Sequence, residues 1–159
     1  MVSAWRIVKR KHEKDAFTGE GARIFGGRWN NPGTRLIYTA ESQSLAALEM
    51  LVRLEEPDLL AAYVVFAIEI QRSLMTDLDP LQLPKNWQDN PAPPAAKSIG
   101  DDWVASGSSA ALCVPSAVIP TEHNFLLNPL HRDFPRFRIS PPAAFSLDFR
   151  LLKKRVKRV

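Results

Sequence analysis

The sequence predicts a single domain of the α+β class, and three observations carry that expectation. The chain has 159 residues, the size of one ordinary domain. Short apolar segments bounded by turn residues recur along it, as strands do. Among them lies one segment with clear helical periodicity, residues 42–54, and no stretch of the chain repeats another. At this length one hydrophobic core buries about 68–70% of the unfolded chain's surface, so the fold needs no covalent or metal staple.

Each element follows from local chemistry. Trp5-Arg6-Ile7-Val8 reads as a first strand, and residues 9–15 as a polar connection. A glycine-rich loop comes next: Gly19, Gly21, Gly26, Gly27 and Gly33 are five of the seven glycines, a residue placed where φ is positive or another group comes close. Leu36-Ile37-Tyr38-Thr39 is the next strand. Residues 42–54 form a helix, with Thr39 or Ser42 as N-cap and Pro57 beyond its end. Residues 59–70 read as a strand centred on Tyr63-Val64-Val65-Phe66. Residues 77–94, rich in Pro, Asp and Asn, read as a long loop of the kind that covers a binding site. A short helix carrying Trp103 is expected over 99–106. Residues 110–114 and 116–119 read as strand around Pro115, 124–128 as a turn or short strand, and 145–152 as a closing strand.

Composition excludes several classes of protein. A lone cysteine, Cys113, forbids an internal disulfide and fits a reducing compartment; in its apolar run it reads as a small buried residue. The first 14 residues are charged and lack the apolar stretch of a signal peptide. The most apolar segment, 59–70, is interrupted by Tyr63 and Glu69 and falls short of the ~20 residues of a spanning helix. The expected location is therefore the cytoplasm, with no membrane contact. His12, His123 and His131 lack metal-ligand spacing, so no metal is expected. The net charge of +4 comes from one end: without residues 150–159 the chain holds 15 basic and 17 acidic groups. Residues 153–159 are thus set apart from a domain at 1–152 as a basic C-terminal tail, which either touches phosphates or an acidic partner or is a solvated end.

Three features carry chemistry. Glu49 is the only charged residue from Ser42 to Val52. On a helical wheel it lies about 40° from Leu45 and 60° from Val52, at the edge of the apolar stripe. A lone carboxylate there would cost several kcal/mol unless an arginine pairs with it or it faces a cleft. Second, Phe25-Gly26-Gly27-Arg28-Trp29-Asn30 sets an open backbone beside a guanidinium, an indole and an amide, which suits a diphosphate or, equally, a Gly-Gly turn held by an Arg salt bridge. Its spacing is neither that of a Rossmann loop nor that of a P-loop. Third, Ser116 is a lone hydroxyl in the apolar run Val114-Pro115-Ser116-Ala117-Val118-Ile119-Pro120, followed by Glu122 and Asn124. It is either a satisfied core serine or part of a site, and no nucleophile elbow surrounds it. Arg28, Tyr38 and Glu49 would together suit cleavage of a glycosidic bond beside a good leaving group. The arginine holds a diphosphate, the aromatic ring stacks on the departing ring, and the carboxylate stabilises the ribosyl cation or holds its hydroxyls.

These motifs, in this order, resemble the RES domain family. The matching pieces are Trp5-Arg6-Ile7, Gly26-Gly27-Arg28-Trp29-Asn30 with Gly33, Ile37-Tyr38-Thr39-Ala40 and Ala46-Ala47-Leu48-Glu49, followed by the run from Val114 to Pro120, Glu122 with Asn124, Leu127-Asn128-Pro129-Leu130-His131, and Phe145-Ser146-Leu147-Asp148-Phe149-Arg150-Leu151. The resemblance spans roughly residues 4–152. It implies a bent, split mixed sheet similar to that of ADP-ribosyltransferases of the diphtheria-toxin kind. It also implies a toxin that consumes NAD as substrate by hydrolysis or phosphorolysis, or transfers ADP-ribose to a protein, and a neutralising Xre-like helix-turn-helix antitoxin through which alone DNA is met. The family's Arg, Tyr, Glu and Ser fall on Arg28, Tyr38, Glu49 and Ser116, the implied catalytic set. Gly27, Trp29, Asn30 and Asn124 join Arg28, Tyr38 and Ser116 as the implied NAD-binding set. A non-enzymatic nucleic-acid module using the basic tail is the rival from another class, and the body's net charge of −2 argues against it.

Overall fold

Over residues 1–152, which this computed structural model describes, eight strands and three α-helices form; the basic tail at 153–159 lies outside the described residues. In order they are β1 (Val2–Lys9), α1 (Glu20–Phe25), β2 (Ile37–Ala40), α2 (Gln43–Leu51), β3 (Tyr63–Ile70), β4 (Met75–Asp77), α3 (Pro94–Ser106), β5 (Ala111–Pro115), β6 (His123–Leu127), β7 (Arg138–Ile139) and β8 (Ala143–Phe145). The strands make one mixed sheet in the order β4-β5-β6-β2-β1-β3-β7, with β8 also paired to β3. Only β4 and β5 are parallel. This is the α+β architecture the sequence predicts.

The sheet is nearly divided at its middle. β1 pairs with β3 from Val2↔Ile70 to Lys9↔Tyr63, and β2 pairs with β6 along its whole length. Between β1 and β2 the single register pair is Trp5↔Ala40. Two things bridge the gap. Trp5 and Ile7 of β1 pack with Ala40 of β2, Leu45 and Ala46 of α2, and Ile119. The guanidinium of Arg6 donates from Nε to Ala16 O at 2.7 Å and from Nη1 to Tyr38 O at 2.9 Å.

Strand alternation sorts the apolar side chains onto two faces. Ile37, Phe125 and Leu127 join Phe66, Ile68 and Ile70 in one cluster. Leu36, Leu112, Val114 and Leu126 point the other way and pack with Trp29, Ala96 and Trp103. Tyr38 belongs to that second face.

Several boundaries differ from those the sequence suggests. The glycine-rich loop contains α1, because Gly19 (φ 72°) and Gly26 (φ 71°) act as its two end caps. Glu20 ties the helix down through Arg23 and Arg35. α3 begins at Pro94 and not at 99, since proline is tolerated in a helix's first turn. α2 stops at Leu51, and the chain reaches β3 only at Tyr63, after a 3-10 turn at Glu56–Leu60. Residues 116–119 are not strand, and 117–119 form bends: the Ser116 hydroxyl accepts the Val118 and Ile119 N–H groups, which a ladder would otherwise use. At the C-terminal end only Ala143–Phe145 is strand, and Phe149–Leu152 is a 3-10 turn. β4 and β7 were not legible in the sequence; they have three and two residues and arise only from pairing.

Candidate active site

Glu49 is aimed by the start of its own helix. Ser42 caps α2, its side chain accepting from Leu45 N at 3.0 Å. Two turns on, the Glu49 carboxylate reaches across to the β5–β6 connection. Ser116 Oγ donates to Glu49 Oε1 at 2.7 Å, and Asn124 Nδ2 donates to the same oxygen at 2.8 Å. Because Ser116 Oγ already accepts two backbone N–H groups, each at 3.1 Å, its one proton is directed onto the carboxylate. Among the described residues no arginine forms a salt bridge with Glu49. Among the described residues no hydrogen bond reaches Oε2, and the side chain is half-buried. Asn124 Oδ1, in contrast, is fully buried and has no hydrogen-bond partner among the described residues. The Glu49 oxygen that no described residue engages is an acceptor that a ligand's hydroxyl would satisfy.

Tyr38 lies alongside. Ala40 is directly opposite Asn124 and Tyr38 opposite Leu126. Tyr38 and Asn124 are therefore diagonal neighbours on one face, about 7–8 Å apart. The phenol donates to Asn30 Oδ1 at 2.6 Å and accepts from Trp29 N at 3.1 Å. Burial, the largest cause, pushes the hydroxyl's ionisation well above its usual range, so Tyr38 stays neutral. Asn30 is wholly buried, with Nδ2 bonded to Ala22 O, Asn31 O and Thr34 O, and Trp29 is 1% exposed. These two side chains hold the loop and Tyr38 from behind.

Arg28 is anchored from the other direction. Its Nη1 donates to Trp87 O at 2.7 Å and to Asp89 O at 2.8 Å, and among the described residues no carboxylate pairs with it. The Trp87 and Trp29 rings stack with centroids 6.1 Å apart. On the far side Gln88 Nε2 reaches Ala117 O at 3.5 Å. Residues 87–89 therefore run as a strap from Arg28 to the turn beside Ser116. Two concavities elsewhere, of about 240 Å³ beside Asp58 and Phe145 and about 600 Å³ beside Asp77 and Trp103, include none of Glu49, Arg28 and Tyr38. Cys113, expected to be buried, is only partly so; burial, with Asp77 next, pushes its thiol up to about 11, which disfavours the thiolate.

The structure thus brings Glu49, Ser116 and Asn124 into direct contact, sets Tyr38 beside them, and links Arg28 to Tyr38 through Gly27 and Trp29. Sequence reasoning missed Arg6 and Trp87. A charged residue inside the apolar strand Trp5-Arg6-Ile7-Val8 was the available signal for the first. Burial, then the nearby Arg53 charge, lowers the Arg6 ionisation to about 10, so it remains charged at neutral pH. For Trp87 nothing local marks a contact across 58 residues.

Gly27 gives a direct test of this geometry. A Cβ there would lie 2.5 Å from the Tyr38 hydroxyl and 2.8 Å from the ring carbon bearing it. Gly27→Ala is expected to displace Tyr38 and lower activity about tenfold or more, with a small loss of stability, because such misplacement acts through geometry. Unchanged activity in the folded variant would show that the Gly27–Tyr38 contact is not needed.

The model of the family described as RES domain matches residues 3–149. The chain is 44% identical over 148 residues to a protein of Yersinia enterocolitica described as Toxin Res, covering 92% of this chain and 97% of that one. It is 35% identical over 157 residues to a Sphingobium protein described as Prs ADP-ribosylating toxin, covering 96% and 98%. In fold it is similar to a chain in the crystal structure of the M. tuberculosis MbcT–MbcA toxin–antitoxin complex, with a TM-score of 0.76 at 21% identity over 91% of this chain and 84% of that one.

Proposed function

This chain belongs to the RES domain family and, like the Yersinia relative, is a toxin; we propose that it acts by cleaving the nicotinamide–ribose bond of NAD, by hydrolysis or phosphorolysis. The observation that carries this reading is the Glu49 carboxylate, with one oxygen clamped by Ser116 and Asn124 and the other without a hydrogen bond among the described residues. As the C1′–N bond breaks, its electron pair leaves with nicotinamide and quenches the ring's positive charge, while cationic character develops on the ribose. A fixed anion there stabilises that charge directly or through the 2′-hydroxyl. Ser116 and Asn124 act as positioning residues for Glu49. Tyr38 offers its ring to the nicotinamide end and Arg28 its guanidinium to the diphosphate. Oxygen from water or inorganic phosphate then bonds to C1′ and gives up a proton, leaving ADP-ribose or its 1″-phosphate.

ADP-ribosylation of a protein is the second reading, favoured by the description of the Sphingobium relative. Purified protein incubated with NAD, with and without phosphate, separates the two when products are identified by mass. Loss of NAD to ADP-ribose or its phosphate without labelled protein is the expected result. NAD left intact except where a protein becomes modified would replace the first reading with the second. In cells, expression is expected to arrest growth and drain NAD, and an Xre-like antitoxin seated against Arg28 is the proposed partner that restores both. The solved toxin–antitoxin complex of the same fold supports an antitoxin as partner.

A further inference from the structure

Three arginines act on Tyr38, and among the described residues none of the three is in a salt bridge. Arg6 donates to the Tyr38 carbonyl, Arg28 sits next to the glycine packed on the Tyr38 hydroxyl, and the charges of Arg53 and Arg28, opposed by that of Asp101, act on that hydroxyl. Arg53 and Arg6 also repel one another. Arg23, Arg35, Arg72, Arg132, Arg136 and Arg150 each have an acidic partner, and among the described residues Arg10 and Arg138 have none. Among the described residues Arg6, Arg28 and Arg53 have none. Neighbouring like charges such as Arg6 and Arg53 are stabilised by an anion bound beside them.

The three differ in how free they are. Arg6 has Nε and Nη1 bound to carbonyls that tie β1 to β2. Arg28 has Nη1 on the strap. Arg53 is exposed and is steadied only through Nε, which donates to the backbone carbonyl of Glu49 at 3.2 Å. Both of its terminal nitrogens are without a hydrogen-bond partner among the described residues. The fork is therefore pre-set one turn beyond the carboxylate, with its bidentate edge open.

We propose that Arg53 is a second phosphate-gripping residue, which holds the diphosphate of the substrate from α2 as Arg28 does from the glycine-rich loop. This rests on the reading of NAD as substrate and deepens it. It makes the site selective for nucleoside diphosphate compounds over nucleosides that lack phosphate. A plain structural role also exists, since a cation just past a helix's C-terminal end stabilises that end. Arg53→Lys keeps that end charge and loses the planar fork, so the two roles separate.

The test is calorimetric titration of ADP-ribose, and separately of inorganic diphosphate, into the wild type, Arg53→Lys and Arg53→Gln, with thermal midpoints measured in parallel. The expected result is ADP-ribose affinity about tenfold or more weaker in Arg53→Gln and intermediate in Arg53→Lys, with a shallower salt dependence, the loss in steady state falling on KM more than on kcat. A lowered midpoint with undiminished ADP-ribose affinity would overturn the proposal and leave Arg53 as a helix-end cation. A folded wild type that binds neither ADP-ribose nor NAD would overturn the NAD reading and the proposal with it. A wild type that binds ADP-ribose and is matched by Arg53→Gln overturns the role of Arg53 alone.

Discussion

Glu49→Gln is expected to lower NAD turnover by at least ~10²-fold while the fold and NAD affinity stay in place, the usual scale for losing an electrostatic group of the transition state. Glutamine has the same shape, and its amide oxygen replaces Oε1 as acceptor for Ser116 and Asn124. Those two donors orient the amide, since placing its NH2 against them would set donor against donor. Only the charge is lost, at the one oxygen that no described residue engages. The effect should therefore appear in kcat and spare ADP-ribose binding and the thermal midpoint. Near-normal NAD consumption by the folded variant would remove Glu49 from the chemistry. A parallel drop in midpoint and binding would instead make it a structural member of the Ser116–Asn124 cluster.

Gly100→Ala is expected to destabilise the protein by about 1–3 kcal/mol, and by more if α3 cannot shift, the range for overpacking a filled interior. Helix propensity alone predicts the opposite sign, because alanine in a helix interior is favoured over glycine by about 1 kcal/mol. The contact decides. A Cβ on Gly100 would lie 1.9 Å from the Trp29 carbonyl oxygen and 2.9 Å from its carbon, both rigid backbone. Either α3 moves off the loop or Trp29 moves with its neighbours, and Trp29 N donates to the Tyr38 hydroxyl. For a chain of this size the thermal midpoint should fall by roughly 3–10 °C, and NAD turnover should fall with it. A midpoint that rises, as propensity alone would have it, would show that the helix and the Trp29 backbone are not in this close contact.

Much of the scaffold was legible because it is written locally. The strand-forming run centred on Val64–Phe66, the apolar run at 36–39 and the Ser42 cap with its helix depend on neighbours a few residues away, and the structure keeps all three. Errors cluster where side chains or distant strands compete with local preference. The hydroxyl of Ser116 turns a β-looking run into bends, and glycines that read as loop mark the ends of α1. Proline that reads as loop opens α3.

The residue types of the site were likewise present in the sequence. A lone carboxylate on an apolar helix, an arginine beside two glycines and a hydroxyl in an apolar run each stand out against their surroundings, and each admits a bland alternative. Tertiary structure alone settled what they do to one another. Glu49 meets Ser116 and Asn124 across 67 and 75 residues, and Arg28 meets the strap across about 60. Neither the Ser116 proton's direction, nor the unpaired Asn124 oxygen, nor the gathering of Arg6 and Arg53 around Tyr38 has a local signature. Backbone propensity and side-chain periodicity are properties of a few consecutive residues, so one chain read in order exposes them. Hydrogen bonds and Coulomb forces act through space over a few ångströms, and only the sheet pairing of β2, β5 and β6 brings those charges within that range.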